Sequence, residues 1–472
     1  MQTKQLPFWL IVYSFIIVLT LPVLFGDGMF LDGIVYTVVS KNMANGLGSF
    51  WFPHYSELGF GGLRGFHENP PLVFGIQSLF FRLFGNGMYT ERIYVLCALV
   101  ATMLLIVAVW KKAFDQSSES KAGWLPLLLW IIAPLVFWSF SNNMMENTMG
   151  IFVLLSVLFY LKSQEITANQ FLMLSVSGIS IFLASFSKGI PGLFTLAVPF
   201  LYWLCTRKIS FARMCAHSAL LFLVVVAIYA VLFLFPDPRA SLSIYFFQRV
   251  LPRIENNPTV GSHFWIVPRL FSELIFPLIP VVLVYLLVFL KTKYRIGREK
   301  LGTAFFFILI GLAGTAPLML TRVQRGFYFL PALPFFAIGL ALLVSEPVAT
   351  ATAKLSQTNL PRYLSAVSLL FLIGALAVTF FFGGRAHRDE EMLKDVYAIG
   401  RHLESRSIIG VPSEKWNESS LGAYFLRYFD INMLEGSSYP HYLIARNSPQ
   451  SVPNGFEKVP LGTVRYDLYL RK

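Results

Sequence analysis

Carboxylates placed beside long apolar runs are the residues of this chain that could do chemistry. Asp32 follows the first apolar run closely, and a charged side chain next to a bilayer is costly unless it faces water or a partner. We therefore predict that Asp32 is a general base at the membrane surface. A structural alternative exists, because Asp32 also stands where an N-cap would precede a helix over Gly33–Met43. Asp27, in a Gly-Asp-Gly turn, is predicted to be a solvated turn residue.

Two further carboxylates fall on the same predicted side of the membrane. Glu146 occupies a turn between two apolar runs, where it could bind an acceptor or hold a metal ion, or simply be solvated. Glu68 precedes Pro70 and Pro71, so it could contact a polar substrate at the entrance of a cleft or belong to a rigid turn. No motif requires a cofactor, and a divalent metal ion at these acidic residues is left open.

Basic residues on that side favour an anionic ligand. Lys188 separates two abutting apolar runs, where a cation must snorkel to the interface or pair with an anion such as phosphate. Other residues that could bind an anion stand beside apolar runs on the same side: Arg249, Arg253, His263, Arg322, Arg325 and Tyr328.

The composition is that of a polytopic membrane protein. The chain has 472 residues, of which 56% are hydrophobic and 13% are charged, whereas soluble domains carry about 25% charge. The formal net charge of +13 suggests membrane orientation and anionic headgroups rather than nucleic acid, because much of the excess lies in short loops. The three cysteines have neither metal-ligand spacing nor a disulfide pattern.

About eleven runs are candidates for crossing a membrane, which takes roughly 20 apolar residues. They are Leu6–Phe25, Ile93–Trp110, Gly123–Phe140, Met149–Leu161, Phe171–Phe186, Ile190–Leu204, Ala216–Phe235, Leu270–Leu290, Thr303–Leu320, Phe327–Val344 and Tyr363–Phe382. The densest basic loops fall on one side, which we assign to the cytoplasm together with Lys4. The loop 27–91 and the segment after Gly383 then lie outside.

The fold class follows as an all-α polytopic membrane protein with a small α/β domain at its C-terminus. We predict a transmembrane domain over residues 1–386 and a soluble domain over 387–472. The loop 27–91 should contain two interfacial helices, one with apolar residues at helical spacing from Ile34 to Met43 and one over Leu72–Phe84, which is too short to span.

The C-terminal segment has a pattern of its own. It predicts a helix over Asp389–Leu403 and strands over Ile408–Val411, Tyr442–Ala445 and Val464–Leu470.

The motifs, taken in order, resemble those of the polytopic GT-C glycosyltransferases. The resemblance is to the protein O-mannosyltransferases and to the aminoarabinose transferase that modifies lipid A. The segments that carry it are Asp32–Tyr36, Glu68–Leu72, Ser187–Gly192, His263–Trp265, Arg325–Pro331 and Tyr466–Tyr469. The chain departs from the family at Gly33, where an Asp-Glu pair has become Asp-Gly, and at Asn69, where some members have lysine.

The resemblance implies an inverting transfer of a sugar from a polyprenyl phosphate on the periplasmic side of a bacterial inner membrane. It implies that Asp32 is the catalytic base, with Tyr36 in the same motif, and that Glu146 is the second acidic residue. Lys188 would contact the leaving phosphate, with Tyr328 and Arg325 nearby. The acceptor could be a lipid such as lipid A, a protein or a glycan.

Two alternatives from other functional classes remain at this point. One is a transporter or flippase of lipid-linked saccharides, which would favour inverted repeats and charges at the midplane of the membrane. This sequence shows no repeat, and its charges cluster at one face. The other is a lipid-binding sensor whose outer tail is the active module.

Overall fold

The chain is predominantly helical in the computed structural model, which describes residues 5–59, 64–114, 118–166, 169–252, 258–292, 295–355, 360–412, 419–448 and 452–472. Within these ranges there are seventeen α-helices. They are α1 (Leu6–Leu24), α2 (Leu31–Ala44), α3 (Leu72–Phe84), α4 (Thr90–Ala113), α5 (Trp124–Ile131), α6 (Pro134–Phe140), α7 (Met145–Lys162), α8 (Gln170–Lys188), α9 (Val198–Thr206), α10 (Phe211–Phe233), α11 (Pro236–Ser243), α12 (Ile266–Thr292), α13 (Arg298–Thr315), α14 (Leu333–Leu355), α15 (Leu360–Phe382), α16 (Glu390–His402) and α17 (Ser419–Phe429).

Tighter and wider helical turns connect some of these elements. Four short 3₁₀ helices cover Ser118–Lys121, Ile190–Ala197, Ala316–Leu320 and Gly326–Ala332. A π-helix covers Ile244–Val250.

Nine helices of the described chain are long and apolar enough to cross a membrane, and they coincide with nine of the eleven predicted runs. The run Gly123–Phe140 instead forms two short helices, because Pro134 forces the preceding Ala133 into an extended conformation. The run Ile190–Leu204 begins as a 3₁₀ helix after Gly189, whose φ of 91° ends α8.

The chain divides into two compact units, which differ from the predicted domains 1–386 and 387–472; those domains remain a prediction. The first unit comprises Met1–Pro22 and Val95–Phe381, and the second comprises Val23–Tyr94 and Phe382–Lys472. The first unit buries most of α14, which packs against α5, α12 and α13. Helices α10, α12 and α15 expose most of their apolar side chains, as helices that face lipid do.

The second unit contains a five-stranded mixed sheet. Its strands are β1 (Ile408–Val411), β2 (Asn432–Glu435), β3 (His441–Ala445), β4 (Phe456–Lys458) and β5 (Tyr466–Arg471), in the order β2-β1-β3-β5-β4. Strand β1 runs parallel to β2 and β3, whereas β5 runs antiparallel to β3 and β4. The predicted helix and three strands of the C-terminal segment are all present, and the sequence analysis missed β2, β4 and α17.

Both helices predicted in the loop 27–91 are present, as α2 and α3. The periodicity of α2 indicated one apolar face, but the structure buries this helix on nearly all sides, including Lys41. Helix α3 follows the expected pattern more closely, because it buries Val73, Phe74 and Phe81 while Leu83 stays exposed.

Candidate active site

Asp32 lies in the first turn of α2, in the second unit. The helix begins at Leu31, and Phe30 occupies the N-cap position without a capping side chain. The alternative that Asp32 is an N-cap is therefore wrong. Its carboxylate is half-buried, and in the part of the chain that the structure describes it makes no hydrogen bond or ion pair. The helix dipole favours negative charge in the first turn of a helix.

Asp27 is buried, so the prediction of a solvated turn residue was wrong. Its carboxylate accepts hydrogen bonds from the hydroxyls of Tyr397 and Tyr428, each at 2.8 Å, and from the Gly28 amide at 2.8 Å. Nη2 of Arg92 lies 3.9 Å away. Three hydrogen bonds and a nearby cation satisfy this buried charge, which indicates a role in holding the chain in place.

The tyrosines around Asp27 predict a loss of stability in alkali. Burial, above all, raises the pKa of Tyr397 and of Tyr428, and the Asp27 carboxylate adds to the increase. The unfolded chain therefore ionises first, so this contribution is complete below about pH 10 and is lost as the pH rises further. As the pH rises above about 10, we expect the thermal midpoint of the purified Tyr397→Phe/Tyr428→Phe variant to fall less steeply than that of the wild type. Equal dependence of the thermal midpoint on pH in the two proteins would contradict this expectation. Other titrating groups, such as Lys41, are present in both proteins, so their contributions cancel in the comparison.

Tyr36 and Glu68, the other candidates in the second unit, occupy different environments. Tyr36 is buried, and its ring packs against Phe66 and Phe74 with centroids 6.4 Å and 6.0 Å away. Glu68 is half-buried in the loop that leads to α3, whose N-cap is Pro71. Packing thus accounts for Tyr36, whereas the position of Glu68 still fits a contact with a polar substrate.

Glu146 and Lys188 form an ion pair inside the first unit. Lys188 ends α8, Glu146 lies in the first turn of α7, and Lys188 Nζ is 3.2 Å from Glu146 Oε1. The side chain of Glu146 is 0% exposed and that of Lys188 is 9% exposed. The anion that pairs with Lys188 in this structure is therefore a carboxylate. Two candidates that are far apart in the sequence meet here.

The residue after Lys188 must be glycine for two reasons. Gly189 has a φ of 91°, and a Cβ built on it would lie 1.8 Å from Oη of Tyr245. Tyr245 belongs to the π-helix, which also carries the half-buried Arg249. Such helices often mark functional sites. Arg253 lies outside the described residues.

A second group of polar residues surrounds Gln324 in the first unit. This buried amide accepts from the Ile266 amide at 2.9 Å and donates to the carbonyls of His263 and Thr321, each at 2.7 Å. The exposed His263 ring lies 2.9 Å from the Met319 carbonyl through Nδ1. Gln324 thereby fixes the backbone immediately before Arg325.

Arg325 is the N-cap of the 3₁₀ helix Gly326–Ala332. Its side chain is exposed, and Tyr328 lies half-buried one turn later. Both side chains are therefore accessible to a ligand.

Arg269 is a candidate that the sequence analysis missed. Its guanidinium lies 2.7 Å from the carboxylate of Glu273, and a Cβ on Gly326 would come within 2.9 Å of its Nε. Glu273 is 1% exposed and also accepts from the Leu135 amide at 2.7 Å. The buried carboxylate thus orients Arg269 over the turn that carries Arg325. The i,i+4 spacing of Arg269 and Glu273 was the available signal.

The candidate residues fall into two sets. Asp32, Tyr36 and Glu68 belong to the second unit, and the remaining described candidates belong to the first. Within the described ranges of the chain, no group of three or more His, Cys, Asp or Glu side chains could hold a metal ion.

Comparisons with known proteins support the resemblance seen in the motifs. Residues 68–233 match the family described as dolichyl-phosphate-mannose-protein mannosyltransferase. This segment contains Glu68, Glu146 and Lys188, and Asp32 precedes it. No curated protein matched the chain in a sequence comparison.

The fold is similar to those of two proteins with solved structures. ArnT from Cupriavidus metallidurans bound to undecaprenyl phosphate aligns with a TM-score of 0.67 and 14% identity, over 98% of this chain and 97% of that chain. The apo state of the same protein gives 0.62 and 13%, over 97% and 95%. The apo oligosaccharyltransferase of Archaeoglobus fulgidus gives 0.50 and 15%, over 91% of this chain and 64% of that chain. This chain therefore has an ArnT-like fold with nine candidate membrane spans among its described residues, and its residues 68–233 are similar to the mannosyltransferase family.

Proposed function

We propose that this protein is an inverting glycosyltransferase that uses a sugar carried on a polyprenyl phosphate. The observation that carries the proposal is the carboxylate of Asp32, held half-buried in the first turn of a helix without an ion pair in the described chain. The ArnT fold supports it, because one ArnT structure of that fold has undecaprenyl phosphate bound. The sequence motifs and the family match over residues 68–233 support transfer of the sugar to a hydroxyl or phosphate of a lipid, protein or glycan.

The proposed chemistry begins with proton removal. An acceptor hydroxyl is a weak nucleophile near neutral pH, so Asp32 would take its proton as the new bond to the anomeric carbon forms. The bond from that carbon to the phosphate oxygen breaks in the same displacement, which inverts the configuration. Where the acceptor is a phosphate, its oxygen is already anionic and no proton needs to be removed.

Cationic and hydroxyl side chains would stabilise the departing polyprenyl phosphate, which gains negative charge as the bond breaks. Arg325 and Tyr328 offer accessible donors, and Glu273 holds Arg269 in a fixed orientation close to their turn. Lys188 and Arg249 are further candidates for this role. Arginine suits it because its planar fork can donate two hydrogen bonds to one phosphate.

We further propose that the reaction takes place on the periplasmic side of the bacterial inner membrane. The support is the concentration of basic residues in the loops assigned to the cytoplasm, together with the outer position that this assignment gives to Asp32. The lipid tail of the donor would lie against apolar helices such as α10 and α12, which expose most of their side chains.

Donor binding tests the proposed class of substrate. We expect undecaprenyl phosphate to bind more tightly than undecaprenol. Arg325→Ala should weaken the binding of undecaprenyl phosphate by about tenfold and leave that of undecaprenol unchanged, because a hydrogen bond to a charged group contributes about 1.5 kcal/mol. Native mass spectrometry in detergent measures both lipids. Arg298→Ala is the control, since this arginine is exposed at the start of α13, at the end that we assign to the cytoplasm. Equal affinity for the two lipids would contradict the proposal.

A further inference from the structure

The five residues before α2 are held by the C-terminal segment of the second unit. The Asp27 amide donates to the Arg385 carbonyl at 2.8 Å, and the His387 amide donates to the Asp27 carbonyl at 3.1 Å. The approach is so close that a Cβ on Gly28 would lie 2.4 Å from the Arg388 carbonyl oxygen. The chain that leads to Asp32 therefore runs directly against residues 385–388, with no room for a side chain at Gly28.

Tyr424 of α17 fixes the last part of this segment. Its hydroxyl accepts from the Met29 amide at 3.0 Å and can donate to the Met29 carbonyl at 3.1 Å or to Asp389 at 3.0 Å. The side chain is 1% exposed, and α2 begins only two residues after Met29, at Leu31. The buried hydroxyl thus accepts from the Met29 amide and lies within hydrogen-bonding distance of the Met29 carbonyl.

The same helix also holds the far end of α2. Nζ of the buried Lys41 donates to the carbonyls of Leu426 and Arg427 at 2.6 Å and 3.0 Å, and to Asp430 at 2.6 Å. These carbonyls belong to the last turn of α17, whose groups have no partner within the helix. Helix α17 therefore bonds to the chain at both ends of α2, and Asp32 lies between these two attachments.

We propose that Tyr424 is a positioning residue for Asp32, so that the C-terminal segment sets the geometry of proton removal. The proposal rests on the proposed function of Asp32. A general base must reach hydrogen-bonding distance of the proton that it removes, and a displacement of about 1 Å can lower a rate a hundredfold. Tyr424 does this through the backbone of Met29, so its loss should change the position of Asp32 without removing any group that binds the donor.

The test compares Tyr424→Phe with Tyr442→Phe. Tyr442 is a buried tyrosine of β3 in the same unit, and its ring packs against Phe456. We expect Tyr424→Phe to lower kcat about tenfold or more with the donor KM unchanged, and to accelerate deuterium exchange at the Met29 amide. Tyr442→Phe should change neither quantity. A wild-type kcat in Tyr424→Phe would overturn the proposal.

Two further variants separate this inference from the catalytic assignment and from simple unfolding. Asp389→Asn keeps the shape of a side chain within hydrogen-bonding distance of the Tyr424 hydroxyl but removes its charge. Like Tyr424→Phe, it should lower kcat, while its thermal midpoint stays near that of the wild type. In an Asp32→Asn background, Tyr424→Phe should lower the residual rate no further. A fully active Asp32→Asn protein would refute the catalytic assignment itself. An inactive Asp32→Asn protein with a fully active Tyr424→Phe protein would refute only the positioning role.

Discussion

Replacing Asp32 with asparagine should lower the rate of sugar transfer at least a hundredfold while leaving the protein folded. Positioned general bases contribute about a hundredfold to ten-thousandfold to a rate, so we expect a loss of that size in kcat. Asparagine has nearly the same volume, and Asp32 forms no ion pair in the described chain, so stability should change by less than about 1 kcal/mol, the value of its interaction with the helix dipole. Initial rates with a labelled donor and the thermal midpoint measure the two effects.

The matched control for Asp32→Asn is Glu57→Gln. Glu57 is an exposed carboxylate in the same loop, and its replacement should leave the rate unchanged. Transfer at the wild-type rate in Asp32→Asn would remove Asp32 from the mechanism. An equal loss in both variants would mean that loop charge, rather than a specific base, controls the rate.

The second large effect should appear at the pair formed by Glu146 and Lys188. Breaking a buried ion pair by removing one partner typically costs 3–5 kcal/mol, because the other charge is left buried and uncompensated. Lys188→Met and Glu146→Leu should each destabilise the protein by about this amount, whereas the double variant should be markedly more stable than either single one. The thermal midpoint in detergent is the measurement. Additive effects of the two single changes would contradict coupling between the charges.

The double variant also tests whether Lys188 contacts the leaving phosphate. Lys188→Met alone removes the ion pair that Glu146 makes with Lys188, so a loss of donor binding in this variant could reflect local unfolding. The Lys188→Met/Glu146→Leu protein removes that ambiguity, because both charges of the buried pair are removed together. Weaker binding of undecaprenyl phosphate in this variant would support the role, and unaltered binding would count against it.

The sequence predicted correctly those helices and strands whose signals lie in their own residues. Helix α16 has acidic residues in its first turn and basic residues in its last, with apolar residues at helical spacing between them, and it formed within one residue of the prediction. Strand β1 was predicted with its observed bounds, Ile408–Val411. The position of Asp32 after the first span is equally local, so it could be selected from sequence.

Features that depend on distant partners could not be predicted. Asp27 resembles a solvated turn residue because Tyr397 and Tyr428 lie 370 and 401 positions further along the chain. The polar face of α2 suggested exposure, whereas α17, which the sequence analysis missed, accepts the hydrogen bonds of Lys41. The partner of Lys188 depends on which spans pack together, and one sequence does not contain that information.

A transfer assay in reconstituted vesicles tests the central claim most directly. The vesicles contain the purified protein, a polyprenyl-phosphate sugar labelled in its sugar, and an envelope extract that supplies lipid, protein and glycan acceptors. We predict that the label leaves the lipid for an acceptor and that one polyprenyl phosphate is released for each sugar transferred. Label that reaches the opposite leaflet while still attached to its lipid would identify a flippase and contradict the account.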